Sequence, residues 1–531
     1  MTTVLIIGSG PAAAGVALAL SRHAELDLGV IDIGLELEAK QQQTVNLLAS
    51  TKPIDWDALD VSRVSAQPVN TRTKGVPEKR RFGSDYPFRN LGQLDGLTAS
   101  DDATSALISA AYGGFSTVWG SQLMPFTAST FNDWPFDAAA IRPHYEAILR
   151  EIPFAGEPDD LAVNFPLMGE PAPLPELSPR SQGVLAAYER HCSLLNARGV
   201  TLGKARLAFD AASCVRCRLC MTGCPYELIY SATHTFDELA RFGRVKRHSG
   251  LMATKVVEEP DTTYVVAKEL ATGRLHRFEA DRVFIACGAM GSTRLVTNSL
   301  GLFDNIVSMG ESQQFVLPLI SRRASPDPRE APDFTLNQFN MTIAMGGSDV
   351  DLSQLHFYTF NPAFVSALPK SLQGKAAERA RVQLLRRLTV TLGYLPSWRS
   401  PQLRIRVRPS SEASLPELHI SRDAAPAGHG EMLRTVMTAL MRSSRLLDLY
   451  PVLPMLRLAA GGKSYHIGGG FAHTEDRTKA LGSDRLGRVG PWQRTHVVDA
   501  AVFPTVPAMT FTLTIMANAH RIASEVYGDA A

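Results

Sequence analysis

The first fifteen residues constrain the fold of this chain more than any other segment. Val4-Leu-Ile-Ile is an apolar run of strand length, Gly8-Ser-Gly10 is a tight turn, and Pro11-Ala-Ala13-Ala-Gly15 opens a helix of small residues. Together they match the glycine fingerprint of a dinucleotide-binding βαβ unit. Gly8 permits the turn, Gly10 lets the backbone approach a pyrophosphate, and Ala13 takes the third position, where a small residue allows close helix–strand packing. The helix is expected to run to about Arg22, aiming its free N–H groups and positive dipole end at phosphates. Gly8, Gly10, Pro11, Ala13 and Gly15 are the cofactor contacts this turn predicts. A second strand, Leu28-Gly-Val-Ile-Asp32, ends in an acid about 20 residues further on, able to accept ribose hydroxyls. That favours NAD or FAD over a 2′-phosphorylated cofactor, and leaves the choice between those two open.

A chain of 531 residues is too long for one simple core and predicts two or three folding units. Its apolar share of 45% and charged share of 20% suit a globular protein. The net charge of +2 steers nothing toward nucleic acid or an anionic membrane. The short basic runs Lys79-Arg80-Arg81 and Arg386-Arg387 read as solvated faces. Residues 68–89 are polar and punctuated by Gly and Pro, which predicts an exposed loop or lid. The opening strand leaves no room for a secretory leader, and no run of about 18 uncharged apolar residues is present. The expectation is a cytoplasmic protein, with export beside a signal-bearing partner subunit left open.

Four of the six cysteines, Cys214, Cys217, Cys220 and Cys224, crowd together and are followed by Pro225. This is the C-x2-C-x2-C-x3-C-P run by which bacterial ferredoxins hold iron–sulfur clusters. It predicts one cluster: a [4Fe–4S] held by all four thiolates, or a [3Fe–4S] held by three, with Cys192 a remote alternative ligand. Zinc also uses C-x2-C pairs, but the crowding and the trailing proline fit it less well. Cys287, beside Gly288, reads as a small buried hydrophobe.

Three further segments resemble the signatures of the glucose–methanol–choline flavoprotein oxidoreductases. Ala111-Tyr-Gly-Gly-Phe-Ser-Thr-Val-Trp-Gly120 is similar to their flavin-contacting loop, and Val283-Phe-Ile-Ala-Cys-Gly-Ala-Met-Gly-Ser-Thr-Arg-Leu295 to their second signature. Val497-Val-Asp-Ala-Ala-Val-Phe-Pro-Thr, with Leu513-Thr-Ile-Met-Ala-Asn-Ala, is similar to their closing motif. Trp134-Pro-Phe and Pro143-His-Tyr resemble segments of the branch that oxidises sugars, some of whose members carry a cluster in a similar cysteine-rich stretch. The resemblance implies FAD, with Gly113, Gly114, Ser116, Trp119, Val256, Gly288, Asp499, Ala500 and Thr510 as further contacts. It also implies an α/β fold, with a discontinuous Rossmann-like FAD domain beside an α+β substrate domain on an antiparallel or mixed sheet. The FAD domain would draw on residues 1–125, 205–310 (cluster segment 211–232) and 463–531, and the substrate domain on 126–204 and 311–462. The alternating stretch Gln354-Leu-His-Phe-Tyr-Thr-Phe360 suits a substrate-domain strand, and residues 375–388 an amphipathic helix with a basic face.

Members of the family remove a hydroxyl proton with a His while hydride moves to flavin. Ser464-Tyr-His466-Ile-Gly-Gly-Gly470 matches that region, and imidazole suits a base near neutral pH. The second position departs from the family: Thr510 stands where Asn or His is usual, and Phe511 where Pro is common. Thr can exchange one hydrogen bond but is no base. His356 and Tyr358 are candidates for the missing contact. The reading that follows is an FAD- and iron–sulfur-dependent dehydrogenase of an alcohol, a sugar or polyol. Its cluster would hand single electrons to a cytochrome- or ferredoxin-type protein or to a quinone, and a small accessory subunit is conceivable. The alternatives are a reductase fed through the cluster by a reduced protein donor, and a non-enzymatic electron-transfer or redox-sensing module.

Overall fold

The computed structural model describes residues 2–65, 80–89, 97–99, 104, 108–330, 332–347, 349–360, 368, 370–409, 415–476 and 478–528. The chain opens with strand β1 (Thr2–Ile7), helix α1 (Pro11–Leu20) and strand β2 (Leu26–Ile31). They seed a five-stranded sheet in the order Thr495–Val497, Arg282–Ile285, β1, β2, Lys246–His248. Every pairing in it is parallel. Val4 to Ile7 are buried without alternation, as in a sheet covered on both faces. α1 packs on the helix Thr512–Tyr527. A Cβ on Gly15 would meet the Met516 carbonyl oxygen at 2.3 Å, so glycine there permits this approach.

A second sheet is antiparallel throughout, in the order Tyr450–Pro451, Gln314–Ile320, Leu388–Tyr394, Leu352–Tyr358, Phe339–Ala344, Val200–Lys204. Helices Pro179–Asn196 and His429–Leu447 share its apolar core. A third, mixed sheet runs Ile467–Gly468, Ile306–Glu311, Leu403–Arg408, Glu417–Arg422, Leu97–Ala99. A three-stranded meander, Leu251–Glu258, Thr263–Glu269 and Leu275–Ala280, completes the set. The expected α/β architecture is therefore present, and the alternating stretch 354–360 falls on the strand Leu352–Tyr358.

Two local expectations are corrected. The helix predicted over 375–388 is a short 3-10 turn and the helix Glu378–Leu385, because Leu388 already begins a strand. Its arginines are used within the chain: Arg381 donates to the carbonyls of Leu372, Gln373 and Gly374, and Arg386 to that of Ser325. Residues 80–89 are not an exposed loop. Phe82, Ser84 and Tyr86 are buried, and Arg81 donates to the Thr117 carbonyl. The rest of that segment, 66–79, lies outside the described residues. Among the described residues no helix is long and apolar enough to cross a membrane.

Candidate active site

A cavity of about 400 Å³ starts at the β1–α1 turn and ends against the antiparallel sheet. Three helices begin on it, at Gly10, Gly288 and Phe511, and none of these starts carries a side-chain cap. Uncapped N–H groups converging on one space form a cradle for anions. Gly8, at φ +103°, cannot bear a side chain, since a Cβ would meet the Ala286 carbonyl oxygen at 2.5 Å. A Cβ on Gly10 or Gly288 would meet nothing within 4 Å, so both backbones lie open to a ligand. Asp32 follows β2 on the cavity wall, and its buried oxygens make no hydrogen bond of good geometry, Ser9, Ser249 and Arg247 standing nearest. Arg247 Nε stands 3.6 Å away, and burial raises the carboxyl above its ordinary range despite that charge. A buried acid beside a phosphate-sized cradle, with hydrogen-bonding capacity left over, fits the ribose of a dinucleotide.

The cavity brings together Gly8, Gly10, Pro11, Asp32, Gly114, Ser116, Trp119, Gly288, Asp499, Ala500 and Thr510. Asp499 is buried, accepts from Ser292 Oγ and Ala501 N, and is pushed up to about 6 by burial. Four expected contacts are not on its lining. Ala13 is packed within α1 and Gly15 against Met516. Gly113, at φ +86°, braces the loop by donating to Ser9 Oγ. Val256 lines a separate hollow with Leu300 and Trp492; Leu251 to Ala253, at the start of its strand, line the main cavity instead. A strand alternates its faces, which the sequence match could not register.

At the far end stand His466, His356, Tyr358 and Thr510. His466 Nδ1 and Thr510 Oγ1 are both buried without a hydrogen-bond partner. Burial pushes the His466 imidazole down to about 3, so it is neutral, with an unoccupied ring nitrogen and a basicity that burial lowers. His356 lies on the antiparallel sheet, is likewise held near 3 by burial and then by His466, and its Nε2 pairs with Gln354 Oε1 at 2.9 Å. Tyr358 has its hydroxyl turned toward Gly120, 3.4 Å from where a Cβ there would lie. The four candidates thus share one chamber.

The cysteine loop lies behind the wall of this chamber. Val118 and Trp119 line the main cavity and also a small hollow bounded by Cys220, Gly223 and Cys224. The chain just past Cys224 is tied to the same wall: Trp119 Nε1 donates to the Tyr230 carbonyl at 2.7 Å, and Ala232 N to Ser116 Oγ at 2.9 Å. The four thiols are electrostatic neighbours, and burial raises each of them, Cys217 to about 12. Main-chain N–H groups face the sulfurs, Arg216 N on Cys214 and Thr335 N on Cys220, each at 3.4 Å. Cys192, the remote alternative, is on the helix Pro179–Asn196. Among the described residues no three His, Cys, Asp or Glu side chains converge as the ligands of one ion do. The expected metal site is therefore not preformed among the described residues.

Three residues of the chamber escaped the sequence reading. Tyr394 stacks on His466, Gln314 Nε2 donates to the Tyr394 hydroxyl at 2.9 Å, and Gln122 lies on the wall just beyond the glycine loop. The orientation of the Gln122 amide follows from its neighbours. Asn337 Oδ1 accepts the Phe357 N–H, so Asn337 Nδ2 must face Gln122 Oε1, and Gln122 Nε2 remains a buried donor without a partner. No motif marks these positions; only the alternation of Leu392-Gly-Tyr394 along a strand could have pointed to one of them.

No family model matches the chain, and no curated protein matches it. Among solved structures, pyridoxine 4-oxidase from Mesorbium loti aligns with 100% of both chains at a TM-score of 0.61 and 13% identity. The chain shares its fold. Formate oxidase from Aspergillus oryzae RIB40, in a variant studied for FAD modification, aligns with 99% of this chain and 98% of its own, again at 0.61 and 13%. Coverage from end to end means that the likeness takes in the whole fold, the parallel and the antiparallel sheet alike.

Proposed function

We propose that the chain is an FAD-dependent dehydrogenase of the glucose–methanol–choline type, oxidising the CH–OH group of a sugar or polyol. The observation that carries this reading is the single cavity, with uncapped helix starts and Asp32 at one end and neutral His466 at the other. Gly8, Gly10, Gly288 and Asp499 would hold FAD, which when bound supplies the hydride acceptor. His466 takes the hydroxyl proton at its ring nitrogen, which needs an imidazole already neutral. Thr510 and His356 supply hydrogen bonds to the reacting oxygen, in place of the Asn or His the family uses. Both similar structures are named as FAD-associated or plain oxidases, and the same chamber would serve oxygen as acceptor. The thiol loop behind Trp119 favours the dehydrogenase. A cluster there would relay single electrons to a protein acceptor or a quinone, a device an oxidase does not need.

The deciding experiment mixes anaerobic protein, with iron and sulfide counted beforehand, with a panel of sugars and alcohols. Bleaching of the flavin followed by turnover with a one-electron acceptor is the expected result. Reoxidation by oxygen alone, in protein without iron, would replace the dehydrogenase with an oxidase.

A further inference from the structure

The strand Ile306–Glu311 ends in a carboxylate that nothing above uses. Glu311 is 1% exposed, and each of its hydrogen-bond partners is a donor from the loop that carries His466. Gly462 N donates to Oε2 at 2.8 Å; Ser464 N and Ser464 Oγ donate to Oε1 at 3.2 and 2.8 Å. All three are donors, so the carboxyl accepts from the loop on both oxygens, although burial raises it above the ordinary carboxylate range. Because the Ser464 hydroxyl spends its hydrogen on Glu311, its lone pair is free to accept the main-chain N–H of His466, and does so at 3.2 Å. The next residue of the strand completes the grip, Ser312 N donating to the His466 carbonyl at 3.0 Å. Between them Tyr465 is held at φ +59°, a left-handed conformation that a non-glycine side chain resists. The turn at Tyr465 delivers the imidazole into the chamber, and Glu311 is the group that holds the turn.

We infer that Glu311 is the positioning residue of the His466 base, acting through Ser464. This rests on the proposed role of His466. The relay is directional. A glutamine at 311 keeps one acceptor oxygen but turns an NH₂ toward either the Gly462 N–H or the Ser464 donors, so one side of the loop must move away.

The test is Glu311→Gln in the FAD-loaded protein, alone and combined with His466→Ala, with Ser464→Ala as a second variant that leaves the carboxylate in place. Flavin absorbance, melting temperature, the limiting rate of flavin reduction and the half-saturating substrate concentration are read for each. Glu311→Gln should retain flavin and lose about 10- to 100-fold in limiting rate, with half-saturation moved less than about twofold. In the His466→Ala background the same change should cost nothing more, because both substitutions act through one imidazole. Ser464→Ala should show a smaller loss of the same kind, and carries the test if Glu311→Gln fails to fold. A lower melting temperature with an unchanged rate, or a loss that persists in full without His466, overturns the positioning role. If His466→Ala alone reduces flavin at the parent rate, the base assignment falls first and the positioning role falls with it.

Discussion

The phenol ring of Tyr394 lies against the imidazole of His466, with centroids 4.8 Å apart and planes inclined by 21°. On its other flank Tyr394 meets His356 at 5.1 Å, and Phe511 closes on His466 edge-on at 5.0 Å. The base is thus held between two rings, Tyr394 and Phe511, from separate parts of the chain. His466→Ala should slow flavin reduction by a factor on the order of 10² or more. Tyr394→Leu should slow it by roughly 2- to 12-fold, matching about 0.5–1.5 kcal/mol of ring packing. Stopped-flow bleaching checks both, and an unchanged rate in His466→Ala would move the base elsewhere.

Cys217→Ser tests the relay. Flavin should remain bound and reducible by substrate, while turnover with one-electron acceptors and the iron content of the protein both fall by at least about tenfold. Undiminished turnover with such acceptors would remove the thiol loop from the electron path.

Gly8→Ala places a methyl group 2.5 Å from the Ala286 carbonyl oxygen at a φ of +103°. The turn must distort, at a cost on the order of 1–3 kcal/mol. Purified protein should carry less than about half the parent flavin per chain by absorbance; full occupancy would mean that this turn does not cradle the cofactor.

Gln122→Leu removes a buried donor on the cavity wall that is left without a hydrogen-bond partner and so is available to a ligand. Loss of one such hydrogen bond is worth about 0.5–1.5 kcal/mol, or roughly 2- to 12-fold in affinity. The loss should appear in either flavin or substrate binding, read by titration of each, and unchanged affinity for both would show the amide to be a bystander.

Six histidines are held low by burial: His356, His466 and His473 near 3, His144 and His496 near 4, and His234 below its ordinary value. Unfolding frees them to bind protons below their ordinary value of about 6.5. The unfolded state therefore takes up more protons between about pH 6.5 and 4, and stability must rise with pH across that window. Asp32, Asp159, Glu311, Asp333 and Asp499, raised by burial, act in the opposite sense but are outnumbered, and Asp327 and Asp351, lowered by Arg329 and Arg399, add to the loss at the acid end. Thermal melts from pH 7 to 4 should show a falling Tm, and a flat profile would contradict the burial of these imidazoles.

The sequence by itself determined the parts whose physics is local. A glycine turn between an apolar strand and a helix leaves few choices of backbone, so the β1–α1 turn, Asp32 at the end of β2 and the crowding of four cysteines were legible before any coordinates. His466 was legible only through resemblance to a motif, and Gly15 was legible as small but not as the contact with Met516. Tertiary structure alone decided the rest, because those properties arise between segments far apart in the chain. Tyr394 reaches His466 from another sheet, Asn337 settles which way the Gln122 amide points, and Glu311 grips a turn about 150 residues downstream. Burial belongs to the same class: no single residue carries the dehydration that keeps His466 neutral.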